Sequence, residues 1–143
     1  VDPARIGGFG ISMGSTHALM LAALDDRLKA VAHLCCFADY ATLIDLGAHD
    51  RHGHYMTIPG FVAELSTGEI AGAIAPRPQL ICIGAEDKLT PPAAVAKARA
   101  EAEAAYARAG RREALSFLIE PGIGHQATPT MRAATLDFFR DNL

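Results

Sequence analysis

Four short apolar runs punctuate the chain, and stretches with apolar residues three or four apart separate them. Arg5-Ile6-Gly7-Gly8-Phe9-Gly10-Ile11 is the first; the others are Lys29 to Phe37, Pro78 to Gly84, and Leu115 to Ile119. Runs that are apolar on both faces belong to strands covered on both sides, as in a parallel sheet flanked by helices. Met13 to Leu24 reads as a helix with Ala18, Leu21 and Ala22 at helical spacing. Thr90-Pro91-Pro92 reads as an N-cap with proline in the first turn, after which Val95, Ala98, Ala102, Ala105 and Ala109 recur until Gly110 ends the helix. Thr128-Pro129 opens a last helix, with Met131, Ala134, Leu136, Phe138 and Phe139 as its apolar surface. The expected order is β-α-β-insert-β-α-β-α, an α/β fold with a parallel sheet.

The insert spans about residues 39–76, where the periodicity weakens. It holds a polar histidine cluster, Gly53, Pro59-Gly60 and a short helix expected around Glu69 to Ile74, which suits a cap-like excursion above the sheet. No internal repeat or low-complexity linker divides the chain, so residues 1–143 are read as one unit. The chain opens Val1-Asp2-Pro3 and enters its first strand at once, which reads as the C-terminal portion of a larger domain.

Composition narrows the function class. Half of the 143 residues are apolar, enough for a buried core. Thirteen Lys and Arg against 16 Asp and Glu give a net charge of −3, which excludes a basic nucleic-acid-binding surface. No apolar stretch approaches the roughly 20 residues of a membrane helix, so no membrane partner is expected. Three cysteines, Cys35, Cys36 and Cys82, lie inside apolar runs and show no Cys-x-x-Cys spacing. A reducing, cytoplasmic setting without a disulfide framework follows as the expectation.

Gly10-Ile11-Ser12-Met13-Gly14 matches G-x-S-x-G, a pattern expected by chance about 0.03 times at this glycine and serine content. It stands where a glycine-rich strand turns directly into a helix, a setting that would expose Ser12 and aim the Met13 backbone N–H and the helix N-terminus at a developing oxyanion. The sharp turn gives a reason for both Gly10 and Gly14, since side chains there would crowd it. An ordinary glycine-rich strand–helix turn is the plain alternative. A serine nucleophile needs a base and a carboxylate to orient it. Asp87 follows the third apolar run and His125 the fourth, both just past the carboxyl end of an expected strand, where open α/β sheets place their sites. Asp87 could instead serve its own turn, although Thr90 reads as the better-placed cap; Glu86 is the rival orienter, and only one of the adjacent pair can face the imidazole.

Gly10-Ile11-Ser12-Met13-Gly14, Gly84-Ala85-Glu86-Asp87-Lys88-Leu89-Thr90-Pro91 and Glu120-Pro121-Gly122-Ile123-Gly124-His125 together resemble the α/β-hydrolase superfamily. Asp2-Pro3-Ala4-Arg5-Ile6-Gly7 and Ala75-Pro76-Arg77-Pro78 resemble more narrowly its dienelactone-hydrolase-like and acetyl-xylan-esterase-like branch. The resemblance spans the chain and implies a Ser12–His125–Asp87 triad that cleaves small acyl esters, such as acetyl esters of sugars, through an acyl-enzyme, with no cofactor and no metal. Prolyl-oligopeptidase-like peptidases share this triad and are the alternative activity. A non-catalytic binding module is the alternative for the chain standing alone. True dienelactone hydrolases use cysteine where this chain has Ser12. The resemblance also implies a domain in which further strands precede the first one here and a loop among them gives a second oxyanion N–H. The expected partner, besides a small ester, is therefore the remainder of the domain, or a second copy of the chain pairing at the open sheet edge.

The other histidines signal less. His49, Asp50, His52 and His54 form a compact polar cluster, read as part of a cap loop near the site mouth, with a divalent metal site as the lesser alternative. His17 and His33 read as packed or hydrogen-bonded structural histidines.

Overall fold

A computed structural model describes residues 2–143. Strands β1 (Ile6–Ile11), β2 (Leu28–Leu34), β3 (Gln79–Gly84) and β4 (Leu115–Glu120) form one sheet in the order β1-β2-β3-β4, every neighbouring pair parallel. Helix α1 (Met13–Leu24) connects β1 to β2, and α5 (Pro92–Arg108) connects β3 to β4. The insert between β2 and β3 carries α2 (Tyr40–Asp45), two short 3-10 turns, α3 (Phe61–Glu64) and α4 (Thr67–Gly72), while α6 (Pro129–Asn142) follows β4.

The period of two along each strand divides the core into two layers. Val31, Ile81 and Ile83 pack with Ala18, Leu19 and Ala22 of α1, Ile70 and Ala71 of α4, and Val95, Ala98 and Ala102 of α5. On the opposite face, Ala32, Leu34, Leu80 and Cys82 pack against Met131 of α6, with Ala134, Phe138 and Phe139 beside it. The small side chains along α5 explain its close approach to α4: Gly72 leaves no space for a Cβ beside Ala105. Helix α4 starts two residues before its expected position, on a reciprocal capping box between Ser66 and Glu69, and is a core element rather than part of a lid.

Several helix details differ from the sequence reading. Leu21 and Leu136 are exposed, and Ser15, Thr16 and Thr135 take the buried positions on their helices. Ala109 ends α5 as an exposed cap, while Tyr106 is wholly buried one turn earlier. Thr90 does not cap α5: Pro91 occupies the N-cap position, and the buried Thr90 Oγ1 has no hydrogen-bond partner among the described residues. Thr128 does cap α6, accepting from the Met131 N–H at 3.1 Å. Arg77 closes the C-terminal end of α1, its guanidinium donating to the carbonyls of Ala22, Asp25 and Leu28 at 2.6, 3.0 and 2.9 Å.

A polar chain crosses the core beneath α1 and α5. The Tyr106 hydroxyl donates to Gln79 Oε1 at 3.2 Å, Gln79 Nε2 donates to His33 Nε2 at 2.8 Å, and the His33 ring meets Ser15 Oγ at 3.4 Å. Complete burial holds His33 well below its ordinary 6.5, at about 3. The unfolded chain takes this proton below about 6.5 and the folded chain resists it down to about 3, so acid favours unfolding across that window. The expected result is a urea midpoint that falls from pH 7 to pH 4, with a slope from this group approaching about 1.4 kcal/mol per pH unit. His33→Gln should flatten the fall. Equal slopes in the two proteins would contradict this assignment.

Candidate active site

Parallel pairing sends the carboxyl ends of β1, β3 and β4 to one edge of the sheet, and the turns that leave them carry Ser12, Asp87 and His125. Ser12 sits between β1 and α1 with φ 55° and ψ −119°, a conformation that L residues rarely adopt. Its N–H is tied to the Leu34 carbonyl at 2.9 Å, which fixes the turn to the end of β2. Gly10 makes the turn possible: a Cβ there would lie 1.9 Å from the Gly14 carbonyl oxygen. Gly14 is different, because a Cβ on it would meet nothing within 4 Å. The steric reason expected for both glycines therefore applies to Gly10 alone. Met13 is the first residue of α1, so its N–H has no acceptor four residues back within the helix.

The three side chains form one continuous hydrogen-bonded relay. Ser12 Oγ lies 2.8 Å from His125 Nε2, and His125 Nδ1 lies 2.7 Å from Asp87 Oδ2. The carboxylate fixes the tautomer, because an ionised Asp87 can only accept and Nδ1 must then donate; Nε2 is left to accept from the serine hydroxyl. The Asp87 side chain is fully buried, whereas that of His125 is 32% exposed, so the relay runs from the interior toward solvent. Asp87 Oδ1 also accepts the Leu89 N–H at 2.9 Å, so the carboxylate both shapes its own turn and faces the imidazole. Glu86, the rival orienter, is exposed.

Close backbone contact holds the acid and base loops together. The Glu86 N–H donates to the Ile123 carbonyl at 2.9 Å, and a Cβ on Gly84 would stand 2.3 Å from the carbonyl oxygens of both Ile123 and Gly124. Cys35 lies at the end of β2 with φ 61°, near enough to Asp87 to feel its charge. Burial, reinforced by Asp87, pushes its thiol up to about 11, and burial raises Cys82 to about 12. Thiols raised in this way stay protonated at neutral pH and are poor nucleophiles.

His49 and Asp50 lie in one 3-10 turn and His54 in the next. His52, between the turns, is half-buried and meets the Leu89 carbonyl of the acid loop at 2.9 Å through Nε2. Among the described residues, no group of three His, Cys, Asp or Glu side chains is placed to hold a metal ion. His33 belongs to the core network described above, and His17 lies on the exposed side of α1. Among the described residues, no helix is long and apolar enough to cross a membrane.

Solved structures of similar proteins identify the fold. A structure of the "Methylesterase BT1017" superposes with a TM-score of 0.75 at 28% identity, covering 99% of this chain and 30% of that one. The glucuronoyl esterase catalytic domain of Hypocrea jecorina gives a TM-score of 0.83 at 17% identity, covering 100% of this chain and 45% of that one. The chain has the α/β-hydrolase fold. A curated Bacillus subtilis (strain 168) protein named "Putative hydrolase YtaP" is 39% identical over 140 residues, which are 98% of this chain and 46% of that protein. The chain thus spans about half the length of the curated relative it matches. No family model matches it.

Proposed function

We propose that this chain carries the nucleophile, base and acid of a serine hydrolase that cleaves carboxylic esters. The observation that carries the reading is the unbroken relay from Ser12 through His125 to a buried Asp87, at 2.8 and 2.7 Å. Ser12 Oγ attacks the ester carbonyl while His125 Nε2 takes its proton. Asp87 stabilises the imidazolium without taking the proton itself. The oxyanion meets the Met13 N–H at the amino end of α1. The imidazolium returns its proton to the departing alcohol, and a water activated by the same imidazole then releases the acid from Ser12. No step needs a cofactor.

The acyl group is read as small, with acetyl on a sugar hydroxyl as the leading case; this rests on the resemblance of the loop motifs to acetyl-xylan-esterase-like enzymes. The names of the solved neighbours, a methylesterase and glucuronoyl esterases, agree with ester chemistry in general. The second oxyanion donor comes, in this reading, from a segment that pairs with the free edge of β1. There Phe9 is half exposed beside an apolar groove of about 480 Å³ formed with Leu136 and Phe139 of α6.

The test compares p-nitrophenyl acetate with a prolyl p-nitroanilide, using the natural full-length protein that contains this chain. Turnover of the ester with little cleavage of the anilide is expected. Preference for the anilide would move the protein to the peptidases. Failure to turn over either substrate would overturn the reading.

A further inference from the structure

The acid loop is held from two sides. On one side it is fixed to the base loop by the Glu86 to Ile123 hydrogen bond; on the other its only side-chain contact from the insert, among the hydrogen bonds of the described residues, comes from His52. A carbonyl can only accept, so His52 Nε2 is protonated and donates to Leu89. The Leu89 residue is then gripped at both of its peptide groups, its N–H bonded to Asp87 Oδ1 at 2.9 Å and its C=O bonded to His52 at 2.9 Å. Two buried residues anchor the segment around His52. Ala48 precedes the first 3-10 turn and Met56 ends the second, and both pack in a cluster with Cys36, Tyr40, Leu43 and Ala94. The imidazole therefore projects from a stapled segment of backbone rather than from a loose loop.

We infer that His52 is a positioning residue for the triad: its bond to the Leu89 carbonyl ties the insert to the acid loop and sets the place of the Asp87 carboxylate against His125. This rests on the serine-hydrolase reading for its consequence in turnover, but the geometry is independent of any substrate. Burial, more than any charged neighbour, favours a neutral ring. Burial depresses the affinity of His52 for a second proton; His49 and His125 act in the same direction, and the Leu89 carbonyl and Asp87 oppose them. A neutral His52 carries one N–H, and the Leu89 carbonyl takes it, so at neutral pH the ring serves as a fixed donor and adds no positive charge beside His125.

The test pairs His52→Phe, which keeps a ring and removes the donor, with His52→Gln, whose amide N–H can replace it. Both are made in the full-length protein. His52→Phe is expected to lower kcat on p-nitrophenyl acetate by about ten- to a hundredfold with KM nearly unchanged, since a small displacement of a catalytic group has that cost. A looser Asp87 supports the imidazolium less, so the acid limb of the pH–rate profile should move to lower pH. The far-downfield proton resonance of the His125 Nδ1–H to Asp87 bond should broaden or vanish in His52→Phe, and His52→Gln should recover the resonance, the limb and most of kcat. Wild-type values for all three in His52→Phe would overturn the inference, as would a His52→Gln protein that folds yet is equally impaired. The resonance can be read even if the protein turns over no ester, so failure of the positioning role is distinguishable from failure of the hydrolase reading.

Discussion

Ser12→Ala is expected to lower kcat for ester hydrolysis by about five to six orders of magnitude while leaving KM within a few-fold, measured with p-nitrophenyl acetate on the full-length protein. The size follows from what is removed. In the proposed mechanism the serine oxygen is the atom that bonds to the acyl carbon, and the nearby Cys35 and Cys82 are poor substitutes, being buried with thiols raised to about 11 and about 12. Alanine carries the same Cβ as serine, so the strained backbone at φ 55° costs it no more than it costs Ser12. The variant should therefore fold normally, and its remaining activity reports the oxyanion site and substrate binding alone. Activity within tenfold of wild type would mean that the chemistry lies elsewhere.

Asp87→Asn is expected to cost about 10⁴-fold in kcat near neutral pH. The amide is nearly isosteric, and its oxygen can keep the bond to the Leu89 N–H that shapes the loop. What it loses is the charge behind the imidazolium. An amide group that turns its NH2 toward His125 Nδ1 would also favour the wrong tautomer, with the proton on Nε2 facing Ser12. Glu86→Gln supplies the contrast. Its side chain is exposed and the relay does not use it, so activity within about twofold of wild type is expected there. A reversed pattern, with Glu86→Gln the damaging change, would reassign the orienting carboxylate.

The sheet was legible because each strand is a short apolar run; helices bury the central β2 and β3, while β1 and β4 are only partly covered, and alternation assigns Val31, Ile81 and Ile83 to one layer and Ala32, Leu80 and Cys82 to the other. The relay was legible for a related reason: parallel strands deliver their carboxyl ends to a single edge, so Ser12, Asp87 and His125 had to emerge near one another. Finer features were hidden where tertiary contact decides. In α1 the apolar residues run around most of the helix, so the sequence could not show that Leu19 is buried and Leu21 exposed. The equivalence of Gly10 and Gly14 in the motif concealed that only Gly10 faces backbone. Thr90-Pro91-Pro92 has the composition of a cap, yet with Pro91 at the N-cap position the threonine falls one residue too early. The contact of His52 with Leu89 joins residues 37 apart, and no local pattern encodes a pairing of that kind.

The proposed function makes Ser12 a nucleophile activated through His125 and Asp87. The most direct measurement is labelling of the full-length protein with a fluorophosphonate, followed by mapping of the modified peptide by mass spectrometry. One adduct is expected, on Ser12, that disappears in Ser12→Ala and forms far more slowly in His125→Ala. An unlabelled Ser12 in folded protein, or an adduct on another residue, would contradict it.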